Sequence, residues 1–129
     1  MSGAQRHTPR RLSTGREGAV FRACWIALLV IGCSILVFGV IVAALPGSDA
    51  AERAIGVASI GMGLFGSALT LTAFRRRECW AWWCLWYYPL FWTAHLVGGL
   101  PPGQDHVHQV VFIALALGAL ALSRREFFP

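Results

Sequence analysis

Four long apolar stretches follow one another along the chain, separated by short polar segments. A helix needs roughly 20 residues to cross a hydrocarbon core about 30 Å thick, and the first three stretches reach that length. The fourth is shorter, so it borrows Asp105 and His106 as an outer turn, or the bilayer thins around it. Because lipid offers no partner to unpaired backbone amides, every crossing is expected to be helical. The predicted helices are residues 23–45, 54–74, 79–100 and 106–123.

Composition supports the same conclusion. Of 129 residues, 57% are hydrophobic and only 13% are charged, whereas a soluble domain carries about 25% charged residues. An ordinary soluble enzyme, a disordered tail and a disulfide scaffold are therefore excluded. Because the loops are short, successive helices are expected to run antiparallel as neighbours. The chain is thus predicted to be an all-α polytopic membrane protein, with a four-transmembrane-helix bundle at 18–129 after a flexible basic arm at 1–17.

The positive charges predict the orientation of the bundle. All eleven basic residues are arginines, and ten of them are grouped before the first stretch, at Arg75–Arg77 and at Arg124–Arg125, while Arg53 lies between the first two stretches. Arginine-rich segments stay on the cytoplasmic side, so both termini are expected in the cytoplasm of a bacterium, with the protein in its inner membrane. The arm has no Phe, Tyr or Trp before Arg16 on which bases could stack. Anionic membrane lipids are therefore the expected partners of these charges, and nucleic acid is not.

Cysteines and carboxylates narrow the chemistry further. Cys24 and Cys33 are nine residues apart and Cys79 and Cys84 are five apart. On a helix neither pair shares a face, so a disulfide or a dithiol redox couple is not expected. No acidic residue lies within the four stretches. Proton-coupled cation export of the kind that uses an intramembrane carboxylate is therefore disfavoured.

Small residues recur at four-residue spacing within the apolar stretches. Such ridges let membrane helices approach closely. We expect them to pack helices within one chain or against a second protomer, and the sequence leaves both options open. The residues concerned are Gly39, Ala43, Ser59, Gly63, Ser67, Ala114 and Gly118.

The third stretch is unusually aromatic. Eight of the thirteen residues from Trp80 to Trp92 are Trp, Tyr or Phe. Tyr88, Trp92 and His95 follow one another at steps of four and three, so they share one helix face. Pro89 cannot donate to the Leu85 carbonyl, and a kink is expected there. This face is predicted to line a pocket or to form an interhelical hydrogen-bond network.

Three histidines are expected near the outer leaflet. In one interpretation His106 and His108 are interfacial, and His95 bonds a neighbouring helix. In a second, the cluster lines a pocket for a lipophilic ligand such as a quinone, a sterol-like lipid or a pigment. In a third, a metal or a haem is bound. The residues for that third site are His95, His108 and Asp105, or alternatively His95, His106 and Gln109.

One further pattern carries a resemblance. The segment Arg77–Trp83, the proline at position 89, His95 and the segment Asp105–His108 together resemble small four-span bacterial membrane proteins of the DoxX-like group. The resemblance covers about Arg75–Arg125 and implies a compact four-helix bundle with a cavity open toward lipid. Sterol-isomerase-type bundles, which are distant architectural relatives, carry acidic catalytic residues in that cavity. This chain has none there, so no catalytic residue is assigned.

The sequence therefore favours a non-catalytic role, since no nucleophile and base stand in a recognisable pattern. The third helix is expected to bind a lipid, a quinone or a protein partner. An accessory subunit of a larger respiratory or photosynthetic complex is the alternative, and a metal or haem site is the second alternative. A homo-oligomer is compatible with each of these functions.

Overall fold

A computed structural model describes residues 15–99 and 106–128. These residues form helices joined by short turns and contain no strand, so the all-α prediction is confirmed for the described part of the chain. One helix, Ala50–Leu69, continues directly into a wider π-helical turn at Thr70–Phe74. The helices are α1 Gly15–Ala44, α2 Ala50–Leu69, α3 Cys79–Leu85, α4 Tyr87–Val97 and α5 Val107–Phe127.

Three helical segments are long and apolar enough to span a membrane, as expected of a membrane protein. They are Glu17–Ala44, Ala50–Phe74 and Val107–Phe127. The stretch predicted as one helix over 79–100 differs, because it consists of two helices of 7 and 11 residues. Neither helix is long enough to cross a bilayer by itself.

The interruption between α3 and α4 lies where Pro89 predicts it. Proline lacks the N–H that would bond the carbonyl four residues earlier, and its ring clashes with that carbonyl. The carbonyl concerned belongs to Leu85, the last residue of α3. The amide of Trp86 instead bonds the Trp83 carbonyl at 3.2 Å, which tightens the turn before α4 begins at Tyr87.

The π-helical turn at the end of α2 is associated with threonines. The Thr70 hydroxyl donates to the Gly66 carbonyl at 2.8 Å, and the Thr72 hydroxyl donates to the Ala68 carbonyl at 2.7 Å. Such back-bonding competes with the backbone ladder and bends helices. The indole of Trp25 also donates to the Thr70 carbonyl at 3.0 Å, and this bond attaches the turn to α1.

The helix ends extend beyond the apolar stretches. Helix α1 begins at Gly15 rather than at residue 23, and α5 continues to Phe127 rather than ending at 123. Helix α2 begins at Ala50 rather than at 54 because of a capping box: the Asp49 carboxylate accepts from the Glu52 amide at 2.7 Å, and the Glu52 carboxylate accepts from the Asp49 amide at 3.3 Å. These reciprocal bonds satisfy two amides that a helix start leaves open.

Helix α1 is the centre of the bundle. It packs along both α2 and α5, and α4 packs on α5. Side chains at steps of four and three along α1 point into the core, and each is at most 4% exposed. This spacing is the pattern of a helix with one buried stripe. The four residues are Cys24, Leu28, Ile31 and Ile35.

Glycines allow α1 and α2 to approach closely. A Cβ on Gly39 would lie 2.6 Å from the backbone nitrogen of Ile60, and a Cβ on Gly63 would lie 2.7 Å from the Cα of Leu36. A Cβ on Gly56 would lie 2.5 Å from the backbone nitrogen of Ala43. Backbone contact of this kind drives helix association in membranes, where hydrophobic burial contributes little.

The remaining predicted packing residues divide into two groups. Ser59 and Ser67 are buried on α2. On α5, by contrast, Ala114 is exposed and a Cβ added to Gly118 would meet nothing within 4 Å. Ser59 and Ser67 of α2 therefore face the interior of the chain, while Ala114 and Gly118 of α5 leave an open surface.

All three described arginine groups lie at one end of the bundle. The rings of Phe21, Phe74 and Phe127 pack together with centroids 4.8–6.1 Å apart, which brings α1, the π-helical turn and α5 together. Arg77 forms an ion pair with Glu126 at 3.2 Å. We call this region, with its arginines at 22, 75–77 and 124–125, the arginine end.

Candidate functional site

Tyr88 is fully buried, and its hydroxyl lies between α1 and α2. A Cβ on Gly66 would lie 2.8 Å from the Tyr88 Cζ and would overlap with the hydroxyl oxygen. A Cβ on Gly32 would overlap with the same hydroxyl and would lie 2.6 Å from the Ser67 hydroxyl oxygen. Because neither glycine has a side chain, a notch remains between α1 and α2, and the Tyr88 side chain fills this notch.

Trp92 links α4 to α5. Its ring stacks on Phe112 at 5.0 Å, and it meets the rings of His95 and His108 at 6.0 Å each. The structure therefore brings together three predicted site residues, namely Trp92, His95 and His108. Tyr88 points away from them toward α1 and α2, so the predicted stripe packs inside the bundle in two different places.

His95 forms a hydrogen bond within its own helix. Its Nδ1 lies 3.0 Å from the Phe91 carbonyl oxygen. Because a carbonyl only accepts, Nδ1 carries the proton, and in the neutral ring Nε2 is left as an acceptor. The imidazole also packs on the Phe91 ring, with centroids 4.1 Å apart.

The proposed metal ligands are only partly described. Asp105 lies outside the described residues. Within 15–99 and 106–128, no group of three or more His, Cys, Asp or Glu side chains could hold a metal ion. In the alternative set, His106 is half-buried and Gln109 is buried. The metal or haem site therefore stays a prediction from the sequence.

Buried hydrogen-bond donors without a partner cluster around the interruption between α3 and α4. Among the described residues, the indole nitrogens of Trp86 and Trp92 and the hydroxyl of Tyr87 find no hydrogen-bond partner. A buried donor left unpaired costs about 1–3 kcal/mol, so native proteins rarely leave several together. Of these residues, Tyr87 also lines a groove on the surface of the bundle.

An apolar groove of about 390 Å³ lies beside this cluster, between α2 and the α3–α4 segment. Tyr87 lines it, and its ring packs on Phe91 with centroids 5.9 Å apart. The other lining residues are Gly61, Met62, Phe65, Gly66, Leu69, Cys84 and Leu85.

Sequence periodicity did not single out Tyr87. The spacing of residues 88, 92 and 95 identifies the helix face that packs inside the bundle. Tyr87 lies beside that face, and it is this neighbouring surface that lines the groove. The available signal was the pair of glycines at 61 and 66, which removes side-chain volume from the facing surface of α2.

Comparison with family models, with curated proteins and with solved structures finds no match to this chain.

Proposed function

We propose that the chain is a four-span bundle of the bacterial inner membrane, with the arginine end and both termini in the cytoplasm. The α3–α4 segment forms one crossing, in addition to those of the three long helical segments. Its 19 residues, Cys79–Val97, extend ~28 Å if helical throughout. Two contacts support a full crossing: the Cys79 thiol donates to the Phe127 carbonyl at one end of α5, and Trp92 meets His108 at the other. Arginines gathered at one end favour the cytoplasmic side for that end.

We further propose that the bundle binds a lipophilic molecule with a polar acceptor group, such as a lipid ester or a quinone, in the groove beside Tyr87. The observation that carries this proposal is the Tyr87 hydroxyl, which is buried in an apolar wall and lacks a partner among the described residues. A phenol donates readily to a carbonyl oxygen. Ligand sites typically combine such an apolar lining with a few polar groups that fix orientation.

The shape of the groove favours a flexible or flat apolar molecule. Met62, Phe65 and Leu69 supply side chains from α2, and Leu85 supplies one from α3. The groove opens at the surface of the bundle, where acyl chains of the membrane would be adjacent. A molecule could therefore enter laterally from the bilayer without passing through water. The role is binding rather than catalysis, because no nucleophile stands beside a base in this region.

The test is the retention of small molecules through purification in a mild detergent. Native mass spectrometry, followed by extraction and identification of the bound molecule, is compared between the parent and two variants. Tyr87→Phe removes only the hydroxyl. Gly61→Leu fills the groove from a position where an added Cβ meets nothing within 4 Å. We expect Tyr87→Phe to retain about ten-fold less ligand, since one well-placed hydrogen bond contributes about 1.4 kcal/mol. Gly61→Leu should also retain less ligand, because its side chain occupies the groove.

Gly118→Leu is the matched control, because it adds the same side chain at another open glycine outside the groove. It should retain ligand as the parent does. Unchanged ligand in Tyr87→Phe and Gly61→Leu would contradict the proposal, as would a parent protein that carries no small molecule.

An accessory subunit of a larger complex is the second candidate. It is favoured by the open surface of α5, where Ala114 is exposed and Gly118 has no neighbour within 4 Å of an added Cβ. Small residues on a lipid-facing surface suit close packing of a second helix. The same spectra test this candidate: a large co-purifying complex that Gly118→Leu disrupts supports it, and a free chain in the parent contradicts it.

A further inference from the structure

A second cavity, of about 580 Å³, lies at the arginine end, away from the apolar groove. It is formed by the first turns of α1 and by the turn that follows the π-helical segment. Its lining combines arginines with two aromatic rings, unlike the apolar wall beside Tyr87. The residues are Gly18, Phe21, Arg22, Trp25, Arg75, Arg76 and Arg77.

Most of the positive charge in this cavity is not neutralised by the described part of the chain. Arg77 is paired with Glu126 at 3.2 Å. Within the described ranges 15–99 and 106–128, no ion pair involves Arg22, Arg75 or Arg76. Three guanidinium groups around one cavity repel each other, and an anion between them would offset that repulsion.

The cavity is also held in shape. The Trp25 indole is fixed by its bond to the Thr70 carbonyl at 3.0 Å, and the Arg75 guanidinium lies over the Trp25 ring at 5.5 Å. The Arg77 guanidinium lies over Phe21 at 4.9 Å. Arg77 also has a backbone φ of 61°, a conformation that non-glycine residues rarely adopt, and it sets the sharp turn of the arginine loop. These contacts hold the Arg75 and Arg77 side chains against the aromatic wall of the cavity.

We propose that this cavity binds a phosphate group, with Arg22, Arg75 and Arg76 as its ligands. Guanidinium forks match phosphate oxygens in geometry and in charge. The rings of Phe21 and Trp25 provide an apolar wall, which suits the glycerol and first methylenes of a phospholipid. Basic pockets between transmembrane helices bind anionic headgroups in this way. A phosphatidylglycerol headgroup and a soluble phosphate share this chemistry, and the experiment below separates them.

The experiment measures lipid adducts by native mass spectrometry of the full chain in mild detergent. Dioleoylphosphatidylglycerol and dioleoylphosphatidylcholine are titrated separately onto the parent and onto the double variant Arg75→Gln/Arg76→Gln. The parent should retain the anionic lipid at least ten-fold better than the double variant does, since each arginine near an anionic headgroup contributes substantially to binding. Retention of the zwitterionic lipid should be weak for both proteins.

The control is Arg124→Gln/Arg125→Gln, which removes the same charge from exposed positions at the same end but outside the cavity. It should bind the anionic lipid as the parent does. A parallel titration adds inorganic phosphate: competition with the lipid identifies a soluble phosphate as a ligand of the site, and absence of competition assigns the site to the lipid. The proposal is overturned if the cavity variant binds like the parent, or if the control loses as much binding as the cavity variant.

Discussion

The hydroxyl of Tyr88 occupies the space that a side chain on Gly66 would need. The Tyr88 side chain therefore connects α4 to α2, even though the apolar groove lies between α2 and the α3–α4 segment. The opposite wall of the notch is Gly32 on α1. One phenol therefore fixes the position of the interrupted segment against both α1 and α2.

Gly66→Ala is expected to destabilise the bundle by about 1–3 kcal/mol, because an added methyl overlaps with a rigid buried ring. Thermal unfolding in detergent, followed by near-ultraviolet circular dichroism, measures the change. Gly61→Ala on the same helix is the control, since its Cβ would meet nothing within 4 Å. The double variant Gly66→Ala/Tyr88→Phe should recover part of the loss. If Gly66→Ala and Gly61→Ala are equally stable, the Tyr88 side chain does not fill the space beside Gly66 as described.

Trp82→Phe is expected to cost about 0.5–1.5 kcal/mol of stability, because it removes the indole N–H that donates to the Leu120 carbonyl at 2.9 Å while keeping an aromatic ring. Trp83→Phe serves as the comparison, since Trp83 is 64% exposed. The same unfolding measurement applies. If Trp82→Phe and Trp83→Phe unfold at the same temperature, the hydrogen bond between α3 and α5 does not contribute the stability assigned to it.

Asp49→Ala should destabilise the start of α2 by about 0.5–2 kcal/mol, because it removes the side chain that accepts from the Glu52 amide. Glu52→Gln keeps an acceptor for the return bond and should stay close to the parent. Amide hydrogen exchange over the first turn of α2 reports the effect locally. Unchanged exchange in Asp49→Ala would show that the capping box is not formed.

His95→Ala tests the metal hypothesis that the sequence suggested. If His95 and His108 hold a metal with Asp105, the purified parent contains near-stoichiometric metal and the variant loses it. If the imidazole only packs on Trp92 and Phe91, neither protein contains metal and the variant is destabilised modestly. Elemental analysis of chelator-free preparations distinguishes these results.

The all-helical fold could be predicted because a long continuous run of apolar residues in lipid satisfies its backbone hydrogen bonds by forming a helix. The interruption before Pro89 could be predicted for an equally simple reason, the missing N–H. Helix ends were harder to predict, because hydropathy marks where a helix meets water and not where it stops. The segment from Glu17 to Arg22 is charged at both ends yet belongs to α1, and the capping signal at Asp49 and Glu52 is independent of hydropathy.

The candidate site could be predicted only in part. Spacing identified the interior face of the third stretch, and the structure places Trp92, His95 and His108 in contact there. Spacing could not tell which aromatic faces a groove, since that depends on where α2 lies. Nor could it show that Arg22, which precedes Arg75 by 53 residues, lines the same cavity as Arg75 and Arg76.

The central claim is that the interrupted α3–α4 segment crosses the membrane, so that the chain spans it four times. Single cysteines at exposed positions in a background without the native cysteines test it, using a membrane-impermeant maleimide on intact spheroplasts. The positions are Pro46→Cys, Arg76→Cys, Gly98→Cys and Phe128→Cys. The account predicts labelling at 46 and 98 in intact spheroplasts and at 76 and 128 only after permeabilisation. Labelling of 98 on the same side as 76 would show that the segment turns back within the bilayer and would contradict the account.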